Sequence, residues 1–308
     1  MKYLNIGGKI KASEISLGMM RISGKSLKEI AELVNTALEN GINFFDHADI
    51  YGGGKCEEMF AEAVGMNPSV REKFIIQTKC GIRGGFFDFS KEHILNSVDA
   101  SLKRLKTDYL DVLLLHRPDT LMEPEEVAEA FNILKTSGKV KYFGMSNQKP
   151  YQIELLQKYL NSADISIIIN QLQFSVTNTG MIDSGLNVNM QNANSVNHDG
   201  DVLEYCRLKD ITIQPWSPFM YGFFEGVFLG NVEKYAKLNE TIDKYAAQYN
   251  VTNSAMAIAW ILRHPAKMQP IVGSTNKTRV AEVCKASDVN LTRQEWYDIY
   301  KSAGNTLP

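Results

Sequence analysis

The sequence predicts a single (β/α)8 barrel preceded by a short N-terminal β-hairpin, and three observations carry that prediction. Eight short apolar runs alternate with stretches of helical periodicity inside 308 residues, a size at which one α/β barrel makes one domain. The runs are apolar on both faces, as strands covered by further layers on both sides are. No Gly-x-Gly-x-x-Gly follows an early strand, so the open doubly wound sheet that would use one is the weaker fit.

In order, Tyr3-Leu-Asn-Ile and Lys9-Ile-Lys-Ala flank Gly7-Gly8 and read as the hairpin. Residues 15–19 are the first barrel strand. Residues 26–40 form a helix with Leu27, Ile30, Ala31, Val34, Ala37 and Leu38 on one face, closed by Asn40-Gly41. Further strands fall at 42–45, 73–79, 109–115, 138–145, 166–170, 211–215 and 270–272. Helices between and after them fall at 57–65, 90–104 with Ser90 as its cap, 123–137, 150–159, 201–209, 239–249, 253–263 and 278–286. No fixed-period repeat, low-complexity linker or composition shift divides the chain, so residues 1–308 are read as one domain. The polar stretch 187–200 is read as a mobile excursion after the sixth strand.

Composition removes several classes of function. The balance of 33 basic and 35 acidic side chains, with no basic run, gives no field for nucleic acid or an anionic membrane. Cys56, Cys80, Cys206 and Cys284 make no CxxC pair and no metal-like spacing, which reads as free thiols in a reducing compartment. The start lacks a signal-peptide core and no apolar run spans a bilayer, so a cytoplasmic protein is expected.

Three strands end in ionisable residues. Gly41-Ile-Asn-Phe-Phe-Asp46 is followed at once by Tyr51, Phe74-Ile-Ile-Gln-Thr ends in Lys79, and Asp111-Val-Leu-Leu-Leu ends in His116. Barrel chemistry sits at the C-terminal ends of strands, and neighbouring strands put these four side by side on one mouth. A phenol of pKa ~10 is a weak acid at neutral pH. An adjacent ammonium favours its ionised form, a carboxylate holds that ammonium, and an imidazole can hydrogen-bond an oxygen where charge develops. Such a set suits a general acid that protonates a carbonyl oxygen. A metal site is not expected, because Asp46, Asp49 and His116 lack further ligands.

With these stand Gly138-Lys-Val-Lys-Tyr-Phe-Gly144-Met-Ser146-Asn147, Asn170-Gln171, Trp216-Ser217-Pro218 and Ile271-Val-Gly273-Ser-Thr-Asn276-Lys-Thr-Arg279. The whole series resembles the aldo-keto reductase superfamily, closest to its bacterial oxidoreductases, over nearly the full chain. The resemblance implies an oxidoreductase that reduces aldehydes or ketones with NADP(H), with NAD(H) left open. Tyr51 is then the proton donor, Lys79 and Asp46 tune it, and His116 orients the carbonyl. It further implies that Ser146, Asn147 and Gln171 hold the nicotinamide amide, Trp216 stacks on its ring, and Ser217 and Pro218 lie by the pyrophosphate. Gly273, Ser274, Thr275, Asn276 and Arg279 would take the 2′-phosphate end and Glu282 the adenine amine, with Gly18, Met19 and Arg21 also on the cofactor's side. A small-molecule carbonyl compound is the expected partner, and the oligomeric state stays open.

The chain departs from the family pattern at His47, where Thr or Ser is more usual, and at Gly273, where some NADP-preferring members carry lysine. The tail after the last predicted helix is short for the long C-terminal substrate loop of many members. Met20 and Arg21, Phe86 and Phe87, and residues 219–224 are the candidate substrate-lining positions. A cofactor-binding barrel that senses redox state or docks to a partner is the alternative, and an unrelated barrel lyase or hydrolase a more distant one.

Overall fold

A computed structural model describes residues 1–308. Eight parallel strands form the barrel: β1 (Ser16–Gly18), β2 (Phe44–Asp46), β3 (Ile75–Cys80), β4 (Leu110–Leu115), β5 (Val140–Ser146), β6 (Ile167–Gln173), β7 (Thr212–Trp216) and β8 (Ile271–Val272). Each pairs with the next, and β8 pairs with β1. Only β7 and β8 share no ladder. There the Gln269 amide donates to the Ile213 carbonyl at 3.0 Å, so the wall is nearly closed.

The barrel helices are α1 (Leu27–Glu39), α2 (Lys55–Ala63), α3 (Lys91–Leu105), α4 (Pro124–Thr136), α5 (Pro150–Leu160), α6 (Val202–Leu208), α7 (Asn253–Leu262) and α8 (Lys277–Val283). Their starts follow capping chemistry. Ser26 and Glu29 form a reciprocal capping box on α1, Ser90 accepts from the His93 amide on α3, and prolines open α4 and α5.

The N-terminal hairpin (Tyr3–Ile6 with Ile10–Ser13) closes the barrel floor. Its turn residue Gly7 donates to Thr212 Oγ1 at 2.9 Å, at the start of β7. A Cβ on Gly7 would stand 2.3 Å from that of Ile168, so a side chain has no room there. Ile6 and Ala12 pack with Phe44, Val112, Leu114, Ile168 and Ile169 in a small inner core. The main core, 67 buried residues, includes the side chains between strands and helices.

The structure adds elements that the sequence reading lacks. A helix spans Gly180–Leu186, and Val232–Gln248 begins seven residues before the predicted 239, with a break at Tyr235 (φ −132°). Arg293–Ser302 is a further helix, opened by a Thr292/Glu295 capping box, in the stretch after the last predicted helix. α7 is buried all round from Ala255 to Ile261 because Val232–Gln248, α8 and the turn Cys284–Asp288 flank it and Trp296 stacks on Trp260. Trp260 and Trp296 each donate an indole N–H to the other's carbonyl, at 3.1 and 2.9 Å, with rings stacked 4.8 Å apart. The stretch 187–200 is threaded with side-chain hydrogen bonds instead of hanging free: Asn187 is fully buried, Asn192 donates to it, and Asn194 donates to Thr306.

Candidate active site

The C-terminal ends of β2, β3 and β4 are stepped together by backbone bonds. The His47 amide donates to Gln77, the Asp49 amide to Lys79 and the His116 amide to Cys80, at 2.8, 3.0 and 3.0 Å. Tyr51 then returns to the mouth through Gly52-Gly53-Gly54, all at positive φ (59°, 65° and 94°). A Cβ on Gly54 would lie 2.9 Å from Arg104, whose guanidinium reaches under this turn to Glu57 at 2.7 Å. Glu57 also accepts from Thr78, so α2, α3 and β3 are tied beneath Tyr51.

Lys79 is fully buried and all three of its protons have acceptors. Its Nζ lies 2.8 Å from the Asp46 carboxylate, 2.7 Å from the His47 carbonyl and 3.1 Å from Tyr51 Oη. Burial works against the charge on Lys79, but Asp46 and Tyr51 outweigh it and hold the ammonium above its ordinary range. Tyr51 itself is pushed up by burial, which here exceeds the downward pull of Lys79 and Arg117. The phenol therefore keeps its proton at neutral pH. His116 is driven well below the ordinary histidine range by burial, then by Lys79 and Arg117, so its imidazole is neutral. Its ring stands 6.0 Å from that of Tyr51, nearly perpendicular, and its buried Nδ1 has no partner. With the proton on Nε2, the remaining N–H can face the cavity.

The Asp46 charge is anchored from below. Its Oδ1 accepts from Gln77 Nε2 at 2.6 Å and from Gln171 Nε2 at 3.1 Å. Both amides also donate to Gln214 Oε1, Gln214 donates to Gln269, and Gln269 donates to the Ser13 carbonyl near the floor. This glutamine ladder runs through the barrel interior. The sequence reading missed Gln77, Gln214 and Gln269. The available signal is that Gln77 and Gln214 stand two residues before Lys79 and Trp216, on the same strand faces.

Beyond the tetrad, the ends of β5, β6 and β7 are cross-tied. Ser146 donates to the Gln171 carbonyl, Asn147 to Ser146, and the Trp216 indole to Asn147, at 3.1, 2.8 and 3.1 Å. Asn147 and Ser217 hold positive φ (59° and 52°), the kind of backbone strain that collects at functional sites. One cavity of about 400 Å³ joins these groups. Gly18, Arg21, Asp46, Tyr51, His116, Ser146, Asn147, Gln171, Trp216, Ser217, Pro218, Gly273, Ser274 and Arg279 all line it. Lys79 lies directly behind Asp46 and Tyr51. Met19, Thr275, Asn276 and Glu282 are not on its wall; the Met19 side chain is in the core, and Asn276 caps α8 through the Arg279 amide.

Of the substrate-lining candidates, Met20, Phe219, Met220 and Phe224 reach the cavity, whereas Phe86, Phe87 and Phe223 do not. Phe224 lies stacked against Trp216 at 5.7 Å, so one face of that indole is already in contact. Arg117, Asn253 and Ser254 line the cavity without having been foreseen. His47 is fully buried and faces away from the mouth, edge-on to Phe60 at 4.7 Å. Neither of its ring nitrogens has a partner, and burial followed by Lys79 lowers its pKa to about 3. No group of His, Cys, Asp and Glu side chains could hold a metal, and no helix is long and apolar enough to cross a membrane.

A family model described as "Aldo/keto reductase family" matches residues 14–303. An oxidoreductase of Bacillus subtilis, YcsN, is 35% identical over the whole of both chains. A 6-dehydroglucose reductase of Agrobacterium fabrum is 32% identical over 98% of each chain. The oxidoreductase YdhF of Escherichia coli is 33% identical over 90% of this chain and 88% of its own.

Proposed function

The chain belongs to the aldo/keto reductase family, and from that premise we propose that it is an NADP(H)-dependent reductase of aldehydes or ketones with Tyr51 as general acid. The observation that carries the reading is the fully committed ammonium of Lys79, shared among Asp46, His47 and Tyr51. Lys79 fixes the phenol oxygen at the mouth and is ready to stabilise the phenolate left when the proton departs. The neutral His116 donates its N–H to the same substrate oxygen and orients it, while the buried Asp46 keeps the lysine charged.

The cavity wall suits a nicotinamide dinucleotide. Gln171 has both side-chain amide protons engaged with Asp46 and Gln214, which leaves its side-chain oxygen Oε1 to accept from a carboxamide. Ser146 and Asn147 stand beside it, Trp216 offers an aromatic wall, and Gly273 leaves open space where a Cβ would project. Arg279, exposed at the far end and without an ion pair, suits a 2′-phosphate. A nicotinamide cofactor held there supplies the hydride; the residues of this chain supply the proton and its stabilisation.

Two titrations and one variant test the reading. NADPH fluorescence titration should show binding tighter than NADH, and aldehydes followed at the NADPH absorbance band should be reduced. Tyr51→Phe should lower kcat by roughly a thousandfold, within the range for loss of a general acid, with NADPH affinity unchanged. Binding without turnover of any aldehyde would favour a redox sensor instead.

A further inference from the structure

We propose that Arg117 sets substrate specificity, and that the carbonyl compound carries an anionic group, a carboxylate or its equivalent, which this guanidinium pairs with. The proposal rests on the reading of the site as that of a carbonyl reductase. Arg117 directly follows His116 at the end of β4 and lines the cavity with Tyr51, His116, Trp216 and Phe224. It is half-buried yet makes no hydrogen bond and no ion pair. The other arginines drawn into this fold are satisfied: Arg71 pairs with Asp111 at 2.7 Å, Arg104 with Glu57 at 2.7 Å, and Arg263 donates to the Leu291 carbonyl at 2.6 Å.

What Arg117 does touch is aromatic. Its guanidinium stands 5.5 Å from the Trp216 ring centroid and 5.6 Å from that of Phe223. Such contacts replace only part of the hydration a cation loses on burial, but they hold its flat fork in one orientation. The only acid on the cavity wall is Asp46, and Lys79 already neutralises it. With Arg21 at the rim, the substrate end of the cavity is left with uncompensated positive charge facing inward. A planar, oriented, unpaired guanidinium is matched by a carboxylate that accepts two parallel N–H bonds. Because Arg117 neighbours the residue that orients the carbonyl, the anion belongs within a few bonds of that carbonyl.

The test compares matched aldehydes, succinic semialdehyde against butanal and 3-carboxybenzaldehyde against benzaldehyde. The wild-type protein should favour the anionic member of each pair at least tenfold in kcat/KM, chiefly through KM. Arg117→Gln should erase that preference by raising KM for the anionic members and should leave NADPH affinity unchanged, while Arg117→Lys should restore part of the preference. Benzoate titrated into the NADP+ complex gives a reading independent of turnover, and its Kd should rise about tenfold in Arg117→Gln. No wild-type preference together with unaltered benzoate binding would overturn the proposal. So would loss of NADPH affinity, which would make Arg117 a cofactor residue, or an equal fall in kcat for neutral aldehydes, which would make it an electrostatic partner of Tyr51. Absence of all turnover, with benzoate binding still dependent on Arg117, would fail the reductase reading and leave the anion site standing.

Discussion

Inside the barrel, seven apolar side chains at the floor give way upward to Gln269, Gln214, Gln77, Gln171 and finally Asp46. The main core, much of it under the helices, holds 67 buried residues, almost all joined by shape alone. Asp46 and His47 are consecutive, and each enters one of these regions. The Asp46 carboxylate takes Lys79, Gln77 and Gln171, whereas the two nitrogens of His47 take nothing and the ring leans on Phe60. The interior fixes charges in place, because a buried charge needs partners and a proton donor needs a defined neighbour. The helix layer supplies stability, through apolar area and close packing.

The contrast can be broken most severely at Lys79. Lys79→Met leaves Asp46 buried and unpaired, so we expect at least a thousandfold loss of kcat together with a stability loss of about 3–5 kcal/mol. Adding Asp46→Asn should restore the melting temperature and none of the activity, separating the two contributions. Recovery of activity in the double variant would refute the division of roles. In the outer layer, Trp260→Ala should cost about 3–5 kcal/mol in denaturant unfolding, with kcat/KM of the folded fraction within twofold of wild type.

Gln77→Leu sharpens the comparison from the polar side. It removes the 2.6 Å donor to the charged Asp46 while filling similar volume, so stability should fall by about 1.5–3 kcal/mol while kcat falls about tenfold and KM holds. An equal loss in KM would place Gln77 in binding instead. The smallest effect on activity is at His47. Its folded pKa, about 3, lies below its unfolded value, so only the unfolded state takes up its proton, and stability falls as pH drops from ~6.5 toward 3. By pH 5 the loss attributable to it is roughly 2 kcal/mol. His47→Thr should flatten that part of the melting-temperature profile and leave kcat at pH 7 unchanged; an unaltered profile would show that the ring is not the proton acceptor. Asp49 opposes this by a comparable amount, since its pKa, raised to about 6 mainly by burial and then by Glu57, makes stability fall by about 2 kcal/mol as pH rises from ~4 to 6.

The barrel and the four residues at its mouth were legible because an ionisable side chain ending an apolar strand is conspicuous. Other features were readable and passed over. Thr292-x-x-Glu295 is the same capping signal as Ser26-x-x-Glu29, and it opens a helix that the sequence analysis does not include. Arg117 is harder to read, for a physical reason. Strand alternation puts neighbours on opposite faces, so a residue beside His116 is expected to point away, but β4 ends at Leu115 and alternation no longer governs Arg117. The glutamine ladder is legible only one member at a time, through the strand-face spacing of Gln77 and Gln214 and the place of Gln171 at a strand end, and not as a network. Its members come from four places in the chain, and only the barrel's register brings their amides together.

The β7–β8 seam gives the barrel a dependence on its own ligand. β8 is two residues long, and beside it the Gln269–Ile213 bond stands in for a ladder. The residues proposed to hold the cofactor come from both banks, Trp216 to Pro218 on one and Gly273 to Arg279 on the other. A dinucleotide lying across them acts as a rivet over the one joint the backbone leaves open, so occupancy should slow deuterium uptake there and raise the melting temperature with ligand concentration. Under the proposed function, the supply of dinucleotide would then set how long each copy of the chain survives proteolysis as well as how fast it turns over.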